Sequence, residues 1–124
     1  MTPTALSRDG KAMGIMTEIK VGDLRPTGLP LYQLRQMFHA TGDFEDVTFS
    51  LITIEPGSRV PAEGAGCHDA DEYSYFLDGE VYSVSGEDIG MVGKGSATLI
   101  PRGEYHWCEN RSDRPCTLIC MMVK

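Results

Sequence analysis

Hydrophobic and polar residues alternate over short stretches along most of the chain, and turns rich in glycine and proline separate these stretches. The clearest alternation covers Val47–Ile54, which reads VTFSLITI. A period of two places successive side chains on opposite faces of a β-strand, so this stretch predicts a half-buried strand. Further strands are predicted over residues 15–21, 31–39, 68–79, 80–84, 96–100, 105–110 and 116–123, with a brief strand inside 85–95. The 31–39 stretch also fits a helical stripe, and its turn-rich neighbours favour the strand.

Eight to ten short strands at regular spacing are typical of an all-β protein with a β-barrel or jelly roll. The 14 glycines and 7 prolines among 124 residues agree with a turn-rich globule of one domain. Residues 1–14 are polar, broken by Pro3, Gly10 and Gly14, and lack periodicity. We therefore expect a flexible N-terminal arm over 1–14 and a single domain over 15–124.

Two features of the 68–79 stretch bear on assembly and topology. Tyr73, Tyr75 and Leu77 share one parity, which predicts an apolar outer face and a homodimer. The alternative is one sandwich whose two sheets bury both rows of the strand. Asp78-Gly79 then predicts a hairpin turn into the 80–84 strand.

The net charge of −7 and only 11 Lys and Arg residues argue against a nucleic-acid partner. No apolar run reaches the length of a membrane span, and residues 1–10 lack the pattern of a secretory signal. The sequence thus predicts a cytoplasmic protein with no membrane partner. In that context Cys67, Cys108, Cys116 and Cys120 are expected to be reduced, with Cys116 and Cys120 too far apart along one strand to bridge.

One segment has the spacing of a known motif. Gly95, Pro101, Gly103, His106 and Asn110 fit the pattern G-x5-P-x-G-x2-H-x3-N at every fixed position. This resembles the second motif of the cupins, a superfamily of small β-barrels. The resemblance covers about residues 47–123 and implies a cupin-type β-barrel, the double-stranded β-helix of jelly-roll type.

The first cupin motif, G-x5-H-x-H-x3,4-E-x6-G, is present only in its second half, as His68, Glu72 and Gly79. Gly66 stands where cupins have their first histidine. Glu63 in the preceding loop, Cys108 or a water molecule are the candidates to replace that ligand. Cys67 has the opposite parity to His68 and is expected to face away, whereas Cys108 shares the parity of His106 and is a candidate pocket wall.

The resemblance implies that His68, Glu72 and His106 bind one divalent metal ion, Fe, Mn, Ni or Zn. Two imidazoles and one carboxylate leave coordination positions open for water and substrate, as in non-haem Fe(II) oxygenases and some zinc sites. The expected function is a metal-dependent enzyme of dioxygenase (oxidoreductase), lyase or isomerase type acting on a small organic molecule. The alternatives are a non-catalytic ligand-binding or sensory cupin and a degenerate metal-free barrel.

The other polar candidates have structural interpretations. His39 has no partner at ligand spacing and is expected at the surface or in the core. Trp107 should point outward, and Asn110 should end the last motif strand. Tyr32, Arg35 and Arg59 are interpreted as solvated side chains rather than substrate contacts.

Overall fold

The computed structural model describes residues 18–28, 31–40 and 46–124. Within these ranges the chain forms one turn of 3-10 helix, Val21–Asp23, and nine β-strands. The strands are β1 Tyr32–Ala40, β2 Val47–Ile54, β3 Arg59–Val60, β4 Asp71–Asp78, β5 Glu80–Ser85, β6 Asp88–Gly93, β7 Ala97–Ile100, β8 His106–Glu109 and β9 Cys116–Val123. The arm predicted over 1–14 lies outside the described residues and stays a prediction.

Most predicted strands are confirmed, and β2 and β9 have the predicted bounds. The strand predicted over 15–21 is wrong in its described part. Residues 18–20 have no regular structure, and Val21–Asp23 is helical. The turn closes through hydrogen bonds from Asp23 N–H to Lys20 O and from Leu24 N–H to Val21 O, with no partner strand alongside. Residues 15–17 lie outside the described part. In the part described, no helix has the length and apolar character needed to cross a membrane.

The strands form two antiparallel sheets, which confirms the all-β barrel of jelly-roll type. The five-stranded sheet has the order β1-β2-β9-β4-β7, and the four-stranded sheet has the order β3-β8-β5-β6. Their facing sides enclose the core: Ile52, Ile54, Phe76, Val81, Cys116, Leu118 and Cys120. Ile52 lies opposite Leu118 and Ile54 opposite Cys116 across β2 and β9. Directly opposed residues share a face, so the alternation in the sequence sets which residues enter the core.

The central rows of the outer face of the five-stranded sheet are mostly apolar. One row crosses the sheet as Phe38, Phe49, Met121, Tyr73 and Leu99. The next row has Arg35, Leu51, Ile119, Tyr75 and Ala97. On β4, Ser74 and Phe76 are buried while Tyr73, Tyr75 and Leu77 are 42%, 48% and 40% exposed. The alternative of one sandwich burying both rows is therefore wrong.

Asp78-Gly79 does not make the predicted hairpin. β4 pairs with β7 and β9, whereas β5 pairs with β6 and β8, so the chain crosses here from one sheet to the other. Gly79 has φ +76°, and a Cβ on it would lie 2.4 Å from Pro115 O. The glycine allows close passage of two backbones at this crossing rather than a two-residue hairpin loop.

This crossing generates a stability prediction. Gly79→Ala should lower the free energy of unfolding by about 2–5 kcal/mol, because the methyl group adds a backbone clash to the cost of a left-handed residue. Gly57→Ala is the matched control, since Gly57 has φ +81° and a methyl group added there would have no atom within 4 Å. It should lose only about 1–2 kcal/mol. Equal losses in urea unfolding would contradict the close packing at Gly79.

Candidate metal centre

Three side chains expected to act together converge at one end of the barrel. Glu72 is the second residue of β4, His106 is the first residue of β8, and His68 lies in the loop before β4. The prediction that the strand begins at His68 is wrong, because β4 begins at Asp71. Asp71 already pairs with Val123, the last residue of β9, so earlier residues have no strand to pair with there.

The loop that carries His68 is held by the turn before β8. Gly103 N–H donates to His68 O at 2.9 Å, and Arg102 N–H donates to Asp71 Oδ1 at 2.9 Å. Gly103 has φ +80°, a conformation that favours glycine. The second motif thus supplies His106 and also fixes the position of His68.

The Glu72 carboxylate lies between the two imidazoles. Its Oε1 is 3.7 Å from His68 Nε2, and its Oε2 is 3.9 Å from His106 Nε2. The two imidazole rings lie 5.1 Å apart between centroids. Glu72 and His106 are mostly buried, with side chains 16% and 15% exposed, whereas His68 is 41% exposed. One ligand atom of each residue lies within 4.8 Å of the others, although these separations are too long for hydrogen bonds.

The hydrogen bond of His106 leaves one nitrogen free for a ligand role. Its Nδ1 lies 3.0 Å from Glu104 O, and a backbone carbonyl can only accept, so Nδ1 carries the proton. Nε2 is then the ring nitrogen that lies toward Glu72 and is free to bind an ion. Metal-binding histidines commonly have their other ring nitrogen held in this way.

The donor set fits a divalent cation. Bonds from zinc-like ions to nitrogen and oxygen are about 2.0–2.2 Å long, so two ligands of one ion lie at most about 4.4 Å apart. The Glu72 separations of 3.7 and 3.9 Å are inside that limit. The bound of 4.8 Å on the three ligand atoms together is slightly above it, so binding an ion would draw the side chains a few tenths of an ångström closer. Two neutral nitrogens with one carboxylate suit Zn, Fe, Mn or Ni, and such an ion would be held by His68, Glu72 and His106.

Gly66 occupies the position from which a further ligand would reach the site. It forms an isolated antiparallel bridge with His106, with Gly66 N–H donating to His106 O at 3.0 Å and His106 N–H to Gly66 O at 2.8 Å. Directly opposed residues share a face, so a side chain at 66 would lie beside that of His106. Its Cβ would meet only Pro61 Cγ, at 3.8 Å. The glycine leaves this space open.

The other residues considered as ligands lie at the surface or line the cavities, apart from the three-residue cluster. Glu63 is exposed, and it does not join the cluster of His68, Glu72 and His106 in the part of the chain that the structure describes. Cys67 is exposed in the loop before β4, where strand parity does not apply, and Cys108 lines the interior cavities. All four cysteines are free. His39 is exposed and pairs with Asp46.

The other polar residues that the sequence singled out lie either on the outer faces of the sheets or inside the barrel. Arg59 lies over the Trp107 ring, 4.2 Å from its centroid. Arg35 pairs with Leu51 on the outer face of the other sheet. Asn110 directly follows β8, is fully buried, and donates to Ile54 O and Arg114 O at 2.8 Å each.

Tyr32 is the residue that the sequence interpretation missed, because it lines the inner cavity that contains all three ligand candidates. Its inward position follows from its register opposite the buried Ile54, which the sequence alone does not show.

Neutral groups surround the inner side of Glu72. Burial, with a contribution from the Glu72 charge, raises the pKa of Tyr32 to about 12 and that of the Cys120 thiol to about 12. Burial likewise raises the pKa of Cys108 to about 12. Without a bound cation these groups are therefore protonated at neutral pH and can donate hydrogen bonds.

Two cavities meet at the candidate ligands. The smaller, about 230 Å³, contains His68, Glu72 and His106, and the larger, about 470 Å³, contains Glu72 and His106. Both are lined by Ile54, Glu72, Ser74, His106, Cys108 and Leu118. The larger volume is within the range of about 300–1,000 Å³ typical of small-molecule sites.

The family model of the Cupin domain matches residues 50–122, which is more than half of the chain. The chain therefore belongs to the cupin family, as its motifs indicate. A comparison with curated proteins finds no match.

Solved cupin-fold structures share this architecture. TT1209 from Thermus thermophilus is 22% identical with a TM-score of 0.67, covering 87% of this chain and 97% of that one. The polyketide cyclase RemF from Streptomyces resistomycificus is 19% identical with a TM-score of 0.71, covering 88% and 80%. A predicted oxalate decarboxylase from Thermotoga maritima is 15% identical with a TM-score of 0.70, covering 86% and 98%. At these identities the likeness shows the fold alone.

Proposed function

We propose that this cupin is a metal-dependent enzyme that binds one divalent ion through His68, Glu72 and His106 and acts on a small organic molecule. The observation that carries the proposal is the convergence of the three ligand atoms within 4.8 Å at the junction of two cavities. The reaction belongs to the dioxygenase, lyase or isomerase type. Structural relatives that bear the names of a polyketide cyclase and a predicted oxalate decarboxylase agree with small-molecule chemistry.

The protein residues have separate roles in this proposal. Glu72 supplies the negative charge of the site, and Glu104 O fixes the His106 tautomer. The glycine at 66 leaves room for a substrate atom beside His106. The bound ion would supply Lewis acidity, orientation of the substrate, or activation of water or oxygen. Tyr32 keeps its phenolic proton and can donate it in a hydrogen bond to a ligand in the inner cavity.

The ligand assignment predicts the metal content of variants. Wild-type protein should bind about one equivalent of Zn²⁺, Fe²⁺, Mn²⁺ or Ni²⁺, and His106→Ala should bind less than about a tenth of an equivalent because one of three protein ligands is lost. His39→Ala is the matched control, since His39 is exposed, pairs with Asp46 and is not one of the three proposed ligands. Elemental analysis after removal of free metal measures the content.

Two results would overturn the metal assignment. One is wild-type protein that takes up none of the four metals, and the other is His106→Ala that binds as much metal as His39→Ala. Circular dichroism and urea unfolding must show that His106→Ala remains folded at room temperature, as expected for a site at the end of a packed barrel. Oxygen uptake and product formation with small enols, keto acids and sugars then distinguish an enzyme from a protein that only binds its ligand.

We also propose that the protein is a cytoplasmic homodimer joined through the apolar outer face of the five-stranded sheet. The two rows described above contain one charged residue, Arg35, and no acidic residue. Each copy has a net charge of −7. An interface centred on these two rows brings two such chains together with little repulsion, since the nearest acidic residue on this face of β4, Asp71, lies in the adjoining row. It covers the exposed Tyr73, Tyr75 and Leu99.

The dimer proposal predicts the effect of a charge in the centre of this face. Wild-type protein should elute with twice the chain mass of 13.6 kDa. Tyr75→Asp should shift it to the monomer, because a buried unpaired carboxylate is costly. Tyr105→Asp changes a more exposed tyrosine outside the face and should remain dimeric. Light scattering coupled to gel filtration measures the mass, and a monomeric wild type or a dimeric Tyr75→Asp would contradict this interface.

A further inference from the structure

The part of the larger cavity nearest the proposed ion is acidic. On the inner face of the four-stranded sheet, His106 lies opposite Ser85, and Ser85 lies opposite Asp88 on the next strand. Glu104, in the turn before β8, accepts a hydrogen bond from Ser85 Oγ at 2.5 Å. All four residues line the cavity. Two carboxylates in addition to Glu72 therefore face the space beside the ligands.

The cavity loses polarity with distance from His106. Two residues along β5 from Ser85, Ser83 lies opposite Cys108 and Gly90, which contribute no charge at neutral pH. The next inward residue is Val81, which lies opposite Val92 and is only 1% exposed. Along β5 the cavity wall thus passes from carboxylates and hydroxyl groups to an apolar floor, and Trp107, Ile89 and Met91 add apolar side chains to the same lining.

Cationic side chains do not line this cavity in the part of the chain that the structure describes. Arg59, Arg102 and Lys124 have other partners. Arg59 lies over Trp107, Arg102 Nε is 3.8 Å from Asp69 Oδ1, and Lys124 Nζ is 3.1 Å from Asp69 Oδ2. Phosphate and carboxylate groups are usually recognised by paired arginine or lysine donors. The described lining offers no such donor.

We propose that the substrate class of this site is an uncharged or ammonium-bearing molecule with an apolar body, and that Glu104 determines this selectivity together with Asp88. The inference rests on the proposed metal function and specifies what that site accepts. Glu104, which is half-buried, and Asp88, which is exposed, repel a phosphate or a free carboxylate on the part of the ligand that is not bound to the ion. Glu104 has the larger effect because water screens its charge less. Hydroxyl or ammonium hydrogens of the ligand find acceptors on the same two carboxylates.

Three catechols with different tails test the charge preference. Ethylcatechol has an uncharged tail, dopamine has an ammonium tail, and homoprotocatechuate has a carboxylate tail, while all three present the same pair of oxygens to a metal. Isothermal titration of Zn²⁺-loaded protein should give dissociation constants for ethylcatechol and dopamine at least about tenfold lower than for homoprotocatechuate. Homoprotocatechuate binding as tightly as the other two, or no binding of any of the three, would overturn the proposal.

Variants assign the preference to Glu104. Glu104→Gln keeps the backbone carbonyl that holds His106 and removes only the charge, so it should reduce the ratio between the carboxylate and ammonium probes several-fold. Glu87→Gln removes a charge from the exposed turn between β5 and β6, outside the cavity lining, and should leave the ratio unchanged. An unchanged ratio in Glu104→Gln would contradict the assignment. Zinc content is measured first in every sample, so loss of metal, which would overturn the proposed function, is distinguished from a wrong charge preference.

Discussion

Three backbone hydrogen bonds hold the candidate site together. Gly66 and His106 exchange two of them, at 3.0 and 2.8 Å, and Gly103 N–H donates the third to His68 O at 2.9 Å. Each such bond contributes a net of about 1 kcal/mol. Without them the loop that carries His68 would have no fixed relation to β8, because it precedes the first paired residue of β4. The two sequence motifs are therefore one structural unit, in which the second motif positions the ligand of the first.

The sequence predicted well the features that depend on local alternation. The bounds of β2 and β9, the burial of Ser74 and Phe76 against the exposure of Tyr73 and Tyr75, and the cavity position of Cys108 follow from a period of two. The motif spacing predicted that His68, Glu72 and His106 would converge, and the structure brings them together.

The failures concern pairing between distant strands. Asp78-Gly79 has the local composition of a hairpin, yet the partners of β4 and β5 lie in different sheets, which a dipeptide does not encode. The start of β4 depends on where β9 ends, far along the chain at Val123. Tyr32 enters the cavity because β1 pairs with β2 in a register that places it opposite Ile54. Which strands pair, and in which register, depends on residues far apart in the chain and is seen only in the folded structure.

The absence of a side chain at Gly66 leaves open space beside the proposed ligands. A cupin with a histidine at this position would have a further side chain beside His106, whereas this chain keeps that space open toward the inner cavity. Cys108 and Cys120 line the same cavity, and burial raises the pKa of each thiol to about 12, so binding an ion through either sulfur would also require the loss of its proton. The proposed site thus requires a nitrogen- and oxygen-ligated ion with positions free for substrate.

X-ray absorption spectroscopy of the Zn²⁺-loaded protein tests this requirement most directly. Binding by His68, Glu72 and His106 predicts two imidazole ligands with the remaining scatterers being oxygen, all at about 2.0–2.2 Å. Sulfur scattering at about 2.3 Å would place zinc on the cysteines. A first shell without imidazole would likewise contradict binding by these three residues.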